Sequence, residues 1–162
     1  MYLLDTPIVL ALREARAGQA DPALTAWASG ATPQSLFLSA ITLHELEGMA
    51  ARTARRDRAG GVAWRRWLDD QVAHAFDGRV LAIDAAIVRR AAQLDYADQR
   101  DGLLAATALE HGLTLATLRP RAFRVGKVRL FDPTTFVAPG GDDWRQASRA
   151  APAWIKNLFV RS

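Results

Sequence analysis

Apolar residues along the chain alternate between short continuous runs and longer stretches with helical spacing. A short apolar run predicts a strand that is buried on both faces. Strands separated by helices, without a hairpin signal, indicate a mostly parallel α/β sheet. The runs that predict strands are residues 2–4, 36–38, 80–83, 113–117 and 128–131.

Local start and stop signals divide the remaining stretches into helices. Proline fits the first helical turn, and aspartate or threonine is typical of the position before it. Asp21 and Asp84 are therefore predicted to cap helices. The predicted helices cover residues 7–17, 22–29, a segment that begins at Thr42, a segment that follows Gly60-Gly61 and holds Trp64 and Trp67, residues 85–94 and residues 100–110.

The last part of the chain differs from the rest. Pro139-Gly140-Gly141 reads as a linker, and apolar residues after it recur at helical spacing. We therefore predict a domain over residues 1–137 and, over residues 138–162, a linker with an amphipathic helical extension. Two interpretations remain open: the extension docks on the domain or on a second subunit, or it completes the core.

Composition narrows the class of protein. The chain has 162 residues, of which 50% are hydrophobic and 23% are charged, as in a globular domain. It has no cysteine, which excludes disulfides, zinc fingers and thiol nucleophiles. The N-terminus has an acid at Asp5 and no basic region, so it does not resemble a signal peptide. No apolar run reaches the ~18 residues of a membrane span, and we expect a cytoplasmic protein.

Three acids occupy positions that favour metal chemistry. Asp5 ends the first strand, Glu45 lies in the first turn of the helix after the second, and Asp101 lies in the first turn of the helix before the fourth. Ligands of open α/β sheets bind beyond the carboxyl ends of the strands. We therefore expect the three carboxylates to converge there and to offer Mg²⁺ or Mn²⁺ the hard oxygen ligands these ions prefer.

Each acid also has a purely structural interpretation, which the sequence leaves open. Thr42 and Glu45 have the spacing of a capping box, in which the glutamate bonds the backbone of its own helix. Asp98 and Asp101 have the same spacing, with Asp98 as the N-cap. Asp5 is equally compatible with the start of a turn.

Four segments resemble a known family. MYLLDT at the N-terminus, SLFLSAITLHELEG at 35–48, RDGLLAATALEHGLTLAT at 100–117 and LFDP at 130–133 are similar to the PIN-domain ribonucleases of bacterial toxin–antitoxin pairs, of the VapC or FitB-like type. The resemblance covers about residues 1–137. It implies a three-layer α/β/α sandwich with a parallel central sheet, in agreement with the alternation of strands and helices.

The resemblance also implies a function and a site. The family cleaves RNA with Mg²⁺ or Mn²⁺ held by acids, which correspond here to Asp5, Glu45 and Asp101. Asp5 and Asp101 would bind the metal directly, and Glu45 would complete the metal's ligands or orient water. The implied biology is the toxin of a type II pair, with an RNA substrate, an antitoxin partner and a homodimer. Residues 42–77 would provide the surface for pairing and for the antitoxin.

Three residues depart from the family pattern. Pro7 replaces an asparagine, Arg119 replaces an acid or asparagine after the fourth strand, and Ala122 replaces an aspartate. Arg119 would either repel a second metal ion or bind the scissile phosphate. These departures leave an alternative open: a weakened or inactive PIN-like module that binds RNA or an antitoxin.

Basic and aromatic residues of the third and fourth helices also have two interpretations. An arginine cluster either contacts the RNA backbone, as the net charge of +4 permits, or forms a solvated surface. Trp64 and Trp67 are expected either in the core or on a dimer face, and not on a platform that stacks bases. The cluster consists of Arg52, Arg55, Arg56, Arg58, Arg65 and Arg66.

Overall fold

A five-stranded parallel sheet forms the centre of the protein. The computed structural model describes residues 1–14 and 21–137. The strands are β1 (Tyr2–Leu4), β2 (Leu36–Ser39), β3 (Val80–Leu81), β4 (Thr114–Ala116) and β5 (Leu130–Phe131). Their order across the sheet is β3-β2-β1-β4-β5, and every pair is parallel.

Helices connect the strands, and short 3₁₀ turns lie next to several of the strands. A π-helical segment, Leu68–Val72, joins two of the helices. The helices are α1 (Thr6–Glu14), α2 (Pro22–Gly30), α3 (Ala40–Arg56), α4 (Arg58–Trp67), α5 (Ala73–Ala75), α6 (Ala85–Leu94) and α7 (Gln99–Glu110). The 3₁₀ turns are Pro33–Ser35, Pro120–Phe123 and Pro133–Thr135.

Both faces of the sheet are covered, which confirms the three-layer α/β/α fold. Leu4 and Ala116 point to a core that they share with α1 to α4, whereas Leu3 and Leu115 point to a core that they share with α7. Neighbouring residues of a strand point to opposite faces, so a central strand needs apolar residues at successive positions. This explains the continuous apolar runs of the sequence.

The predicted helix starts need two corrections. Helix α3 begins at Ala40, two residues before Thr42, because the Ser39 hydroxyl accepts a hydrogen bond from the Ile41 backbone and caps it. Helix α4 begins at Arg58, so Gly60-Gly61 lies inside it instead of preceding it. Gly61 is buried against Ala54 of α3, which requires a residue without a side chain.

The strand and cap predictions are largely confirmed. Asp21, Asp84 and Asp98 each accept a backbone N–H at the start of a helix. The edge strands β3 and β5 are each two residues long, whereas the apolar pattern predicted four. An edge strand has one hydrogen-bonded neighbour, so its regular pairing ends sooner than its apolar pattern does.

The tryptophans of α4 contribute to the core. Trp67 is 1% exposed, and Trp64 packs against the same core with its ring at right angles to that of Trp67, 5.5 Å away. The Arg13 guanidinium of α1 stacks 3.9 Å from the centre of the Trp64 ring. The core interpretation is therefore confirmed for Trp67.

Two predictions lie outside the described residues. They are the end of the first helix at residue 17 and the helical extension over residues 138–162. Within residues 1–14 and 21–137, no helix combines the length and the hydropathy needed to cross a membrane.

Candidate active site

Asp5 is a buried acid at the carboxyl end of the central strand. Its backbone N–H continues the pairing with β4 by donating to the Ala116 carbonyl, and its side chain is 1% exposed. The Thr6 backbone N–H donates to Oδ1 at 2.9 Å, and the Thr117 hydroxyl donates to Oδ2 at 2.7 Å. Each oxygen thus has a protein donor, which fixes the orientation of the carboxylate.

The surroundings of Asp5 act on its charge in opposite directions. Burial raises the pKa of Asp5 above its ordinary value because a charged carboxylate loses hydration. The hydrogen bond from Thr117 and the positive charge of Arg119 lower the pKa and so offset part of the increase. The protein thus keeps an acid in its interior by surrounding it with donors.

Asp101 lies across the sheet edge from Asp5, and Arg119 joins the two. The Nη2 atom of Arg119 lies 2.8 Å from Asp101 Oδ1 and 3.3 Å from Asp5 Oδ2, while Nη1 lies 3.3 Å from Asp101 Oδ2. The backbone N–H of Arg119 donates to the Thr117 hydroxyl at 3.0 Å. The hydrogen bond to Asp101 is the main cause that raises the pKa of Arg119. One guanidinium therefore binds two carboxylates, one from the residue that follows β1 and one from α7.

Glu45 faces the same region from α3, and it is not part of a capping box. Its Oε2 accepts a hydrogen bond from the Thr6 hydroxyl, and its Oε1 lies 3.3 Å from Arg100 Nη1. The Thr42 hydroxyl donates to the Leu4 carbonyl at 3.2 Å and so connects α3 with β1. Both side chains bond to neighbouring segments, so the capping-box interpretation of Thr42 and Glu45 is wrong.

Asp98 caps the helix that carries Asp101, as its sequence position predicts. The Arg100 backbone N–H donates to Asp98 Oδ1 at 2.9 Å, and the Arg100 guanidinium lies 2.9 Å from Oδ2. These hydrogen bonds, the one from the side chain first, lower the pKa of Asp98 to about 2. Asp101 lies in the first turn of the same helix, and its carboxylate binds Arg119. Of these two acids, only Asp98 caps the helix.

A cleft of about 150 Å³ lies where these side chains meet. It is lined by Thr6, Pro7, Leu10, Glu45, Met49, Asp98, Arg100, Asp101 and Arg119. A larger cavity, of about 410 Å³, lies between α6 and α7, where Asp95 is the one acid among mostly apolar lining residues. The smaller cleft combines acids, arginines and strand ends, so it is the candidate active site.

The acids converge less closely than the sequence predicts. In the part of the chain that the structure describes, no three acid or histidine side chains are grouped closely enough to hold one metal ion. Asp5 and Asp101 share the Nη2 atom of Arg119, while Glu45 bonds Thr6 and Arg100 beside them. The expectation of three carboxylates around one ion is corrected to a pair of acids with a neighbouring third.

The three residues that differ from the family pattern lie at the site or next to it, and so do two threonines that the sequence does not mark as site residues. Pro7 lines the cleft in the first turn of α1, and Ala122 donates its N–H to the Arg119 carbonyl in a 3₁₀ turn. No motif in the sequence singles out Thr6, which bonds Asp5 and Glu45, or Thr117, which bonds Asp5. The available signal was their position: each follows the end of a central strand, as Asp5 does.

Comparisons with known proteins agree with this architecture. The PIN domain family matches residues 2–128. VapC ribonuclease Y4jK of Sinorhizobium fredii is 32% identical over 142 residues, which cover 82% of this chain and 97% of that protein. Toxin FitB of Neisseria gonorrhoeae is 30% identical over 82% of this chain and 98% of its own length.

A solved structure extends the similarity to three dimensions. The crystal structure of FitAcB from Neisseria gonorrhoeae superposes with a TM-score of 0.74 at 29% sequence identity. The match covers 84% of this chain and all of the compared chain. Since the family match spans most of the sequence and the parallel sheet carries the acids at its carboxyl edge, the chain belongs to the PIN domain family.

Proposed function

We propose that this protein is the toxin of a type II toxin–antitoxin pair and a metal-dependent endoribonuclease. The proposal rests on one observation: Asp5, which follows β1, and Asp101 of α7 bind the same cationic nitrogen at the carboxyl edge of the sheet. Similarity to a VapC ribonuclease and to Toxin FitB supports the reaction class and the biological role.

The donor set fits a divalent cation. Mg²⁺ prefers carboxylate oxygens, uses few of them and keeps several waters. Asp5 and Asp101 provide such oxygens, and Arg119 shows that a positive charge is accommodated between them. We therefore assign Asp5 and Asp101 as ligands of Mg²⁺, or of Mn²⁺, with Glu45 as the third acid of the catalytic group.

The roles of the residues follow from their contacts. A bound divalent ion would activate a water molecule and offset charge on the scissile phosphate. Thr6 and Thr117 hold the two oxygens of Asp5, and such partners of a metal ligand are worth about 10–100-fold in affinity or activity. Glu45, held by Thr6 and Arg100, is placed to orient water in the cleft. Arg119 is assigned to the substrate phosphate, whose geometry suits a guanidinium fork.

Surface charge supports RNA as the substrate. Arg52, Arg55, Arg56 and Arg58 are exposed at the end of α3 and the start of α4, and none forms an ion pair with a described residue. Arg65, in contrast, pairs with Glu47 at 2.7 Å. Unpaired arginines on one surface provide the sequence-independent attraction to phosphates.

The proposal includes two protein partners, an antitoxin and a second copy of this chain. The α3–α4 hairpin is proposed as the surface for the antitoxin and for a homodimer, and the cytoplasm as the location where the toxin meets RNA. Structures of toxin–antitoxin complexes share the fold of this chain.

An inactive module is the second candidate, and Arg119 is the observation that favours it. The guanidinium already pairs with both acids, so a chain that never releases it would bind RNA or an antitoxin without cleaving RNA. Cleavage and metal binding separate the two functions.

The first prediction tests the site by RNA cleavage. Asp5→Asn and Asp101→Asn should each reduce Mg²⁺-dependent cleavage by more than about a hundredfold, because a direct ligand matters at least as much as its supporting partners. Asp84→Asn is the matched control, since it makes the same chemical change at a helix cap where asparagine is accepted. Gel analysis of RNA and circular dichroism of each variant give the two readouts.

Equal cleavage by Asp5→Asn and by the unmutated protein would contradict the site. Absence of cleavage and of Mg²⁺ binding in the unmutated protein would favour the inactive module.

A further inference from the structure

One nitrogen atom of Arg119 occupies the place between the two proposed metal ligands. Nη2 lies 2.8 Å from Asp101 Oδ1 and 3.3 Å from Asp5 Oδ2. Of the two side chains bonded to that oxygen of Asp5, Thr117 is fully buried and Arg119 lines the cleft. The guanidinium is therefore the group that separates the buried acid from the cleft.

Arg119 and a divalent ion cannot use these oxygens together. Mg²⁺ binds carboxylate oxygens at about 2.0–2.1 Å in a near-octahedral arrangement. A guanidinium stays positively charged at any pH at which a protein is folded, so it repels a second cation at this distance. Metal binding by Asp5 and Asp101 requires the fork of Arg119 to move away.

The local structure permits this movement. The Arg119 side chain is 45% exposed, and the residue precedes a 3₁₀ turn instead of lying within a strand. The Asp5 side chain is 1% exposed and that of Asp101 is 14% exposed, so leaving these acids without a positive charge would be unfavourable. A divalent cation provides the positive charge that takes the place of the guanidinium. The guanidinium also lies 5.5 Å from the centre of the Phe123 ring, which offers it a second, neutral partner.

We propose that Arg119 is an internal counter-ion that the divalent metal must displace from Asp5 and Asp101 before the site becomes competent. This inference rests on the proposed function and adds its regulation: the same side chain stabilises the metal-free acids and weakens metal binding. Once displaced, the fork remains tethered at the edge of the cleft, where it is free to meet the phosphate.

The experiment measures Mn²⁺ binding by calorimetry without RNA. Arg119→Gln should bind Mn²⁺ about tenfold more tightly than the unmutated protein, the equivalent of one charge-assisted hydrogen bond. Arg121→Gln is the matched control, because it removes an exposed arginine two residues away and accounts for the general change in charge. Its affinity should change by less than about threefold, as expected for a screened surface charge.

A second measurement follows the guanidinium directly. In ¹⁵N-arginine NMR spectra, Mg²⁺ added to the unmutated protein should shift the Nε–Hε resonance that is missing from Arg119→Gln. Arg119→Lys, which keeps the charge, should bind Mn²⁺ with an affinity closer to that of the unmutated protein than to that of Arg119→Gln.

Three outcomes would overturn the inference: equal affinities for the unmutated protein and Arg119→Gln, absence of Mn²⁺ binding in both, or an Arg119 resonance that does not respond to bound Mg²⁺. Failure of the proposed function has a different signature, which is read from RNA cleavage: either the unmutated protein cleaves no RNA in the presence of Mg²⁺, or Asp5→Asn cleaves RNA as well as the unmutated protein does.

Discussion

At the scale of single residues, the site depends on charges that are held by local donors. Asp5 is 1% exposed and remains compatible with folding because Thr6, Thr117 and Arg119 donate to its two oxygens. An unpaired buried carboxylate would cost several kcal/mol by the same physics. Asp98 shows a different case: its side chain is 42% exposed, and its hydrogen bonds stabilise the charged form without a large cost of burial.

The second prediction concerns Asp98 and pH. Its folded pKa of about 2 lies below the ordinary value of 3.8, so the unfolded chain binds the proton more readily. The stabilisation is therefore complete above pH 3.8 and is lost as pH falls towards 2. Asp98→Ala should lower the free energy of unfolding by about 0.5–2 kcal/mol at pH 7, as for other N-caps.

Urea denaturation between pH 3 and pH 7 provides the measurement. The difference between Asp98→Ala and the unmutated protein should shrink below about pH 4, where the carboxylate begins to protonate in the unfolded chain. Asp98→Asn, which keeps a capping oxygen without the charge, is the control, and its stability relative to Asp98→Ala should not change over this pH range. A difference that is constant across this range would contradict the role of the charge.

At the scale of elements, α3 and α4 pack so closely at Gly61 that no side chain fits between them. A Cβ atom built on Gly61 would lie 2.4 Å from Ala54 Cβ and 2.5 Å from Ala54 Cα. Backbone atoms cannot yield as a flexible side chain does, so a glycine is required at this crossing. The two helices therefore approach closely while α3 carries Glu45 to the cleft.

The third prediction tests this contact. Gly61→Ala should destabilise the protein by about 1–3 kcal/mol through overpacking, although alanine favours a helix by roughly 1 kcal/mol. Gly30→Ala in α2 is the control, because nothing lies within 4 Å of its Cβ position, and it should leave stability unchanged or raise it by up to about 1 kcal/mol. Thermal denaturation measures the stability of both variants. A Gly61→Ala protein as stable as the control would contradict the close approach of α3 and α4.

At the scale of the whole molecule, parallel topology assembles the site from segments that are far apart in sequence. Residues 5 and 119 follow the ends of β1 and β4, residue 45 lies in the second turn of α3, and residue 101 lies in the first turn of α7. All parallel strands end at one edge, so their following residues meet there without any local contact. The similarity to the FitAcB structure, over 84% of this chain, extends to this arrangement of strands and helices.

The fourth prediction concerns residues 138–162, which the sequence predicts to form a docked helix. Trp144, Trp154, Ile155, Leu158 and Phe159 are too apolar to remain in water, and burial contributes roughly 1.5–3 kcal/mol for each large side chain. A chain that ends at Ala138 should therefore be less stable or less soluble than the full chain, or change its oligomeric state. Calorimetry and light scattering measure these properties.

A milder variant separates docking from a general loss of solubility. Trp154→Ser in the full chain should lower the melting temperature if the side chain is buried against the domain or a second subunit. A shortened protein that is fully soluble, equally stable and still dimeric would contradict docking of either kind.

The sequence by itself determined the order of elements and the identity of the acids. Continuous apolar runs predicted central strands, and Asp21, Asp84 and Asp98 marked helix starts, because both signals depend on residues that are near each other in the chain. Asp5, Glu45 and Asp101 could likewise be selected, since each lies at a strand end or near the start of a helix.

Tertiary structure alone decided how these residues are used. The positions of Gly60 and Gly61 indicate a break in the sequence, yet the crossing with Ala54 places both inside α4. Thr42 and Glu45 have the spacing of a capping box, but nearby segments provide them with better-placed partners in Leu4 and Thr6. The sequence predicts that Arg119 repels a metal ion or binds phosphate, and only the fold places its guanidinium against Asp5 and Asp101, because buried carboxylates attract the nearest cation.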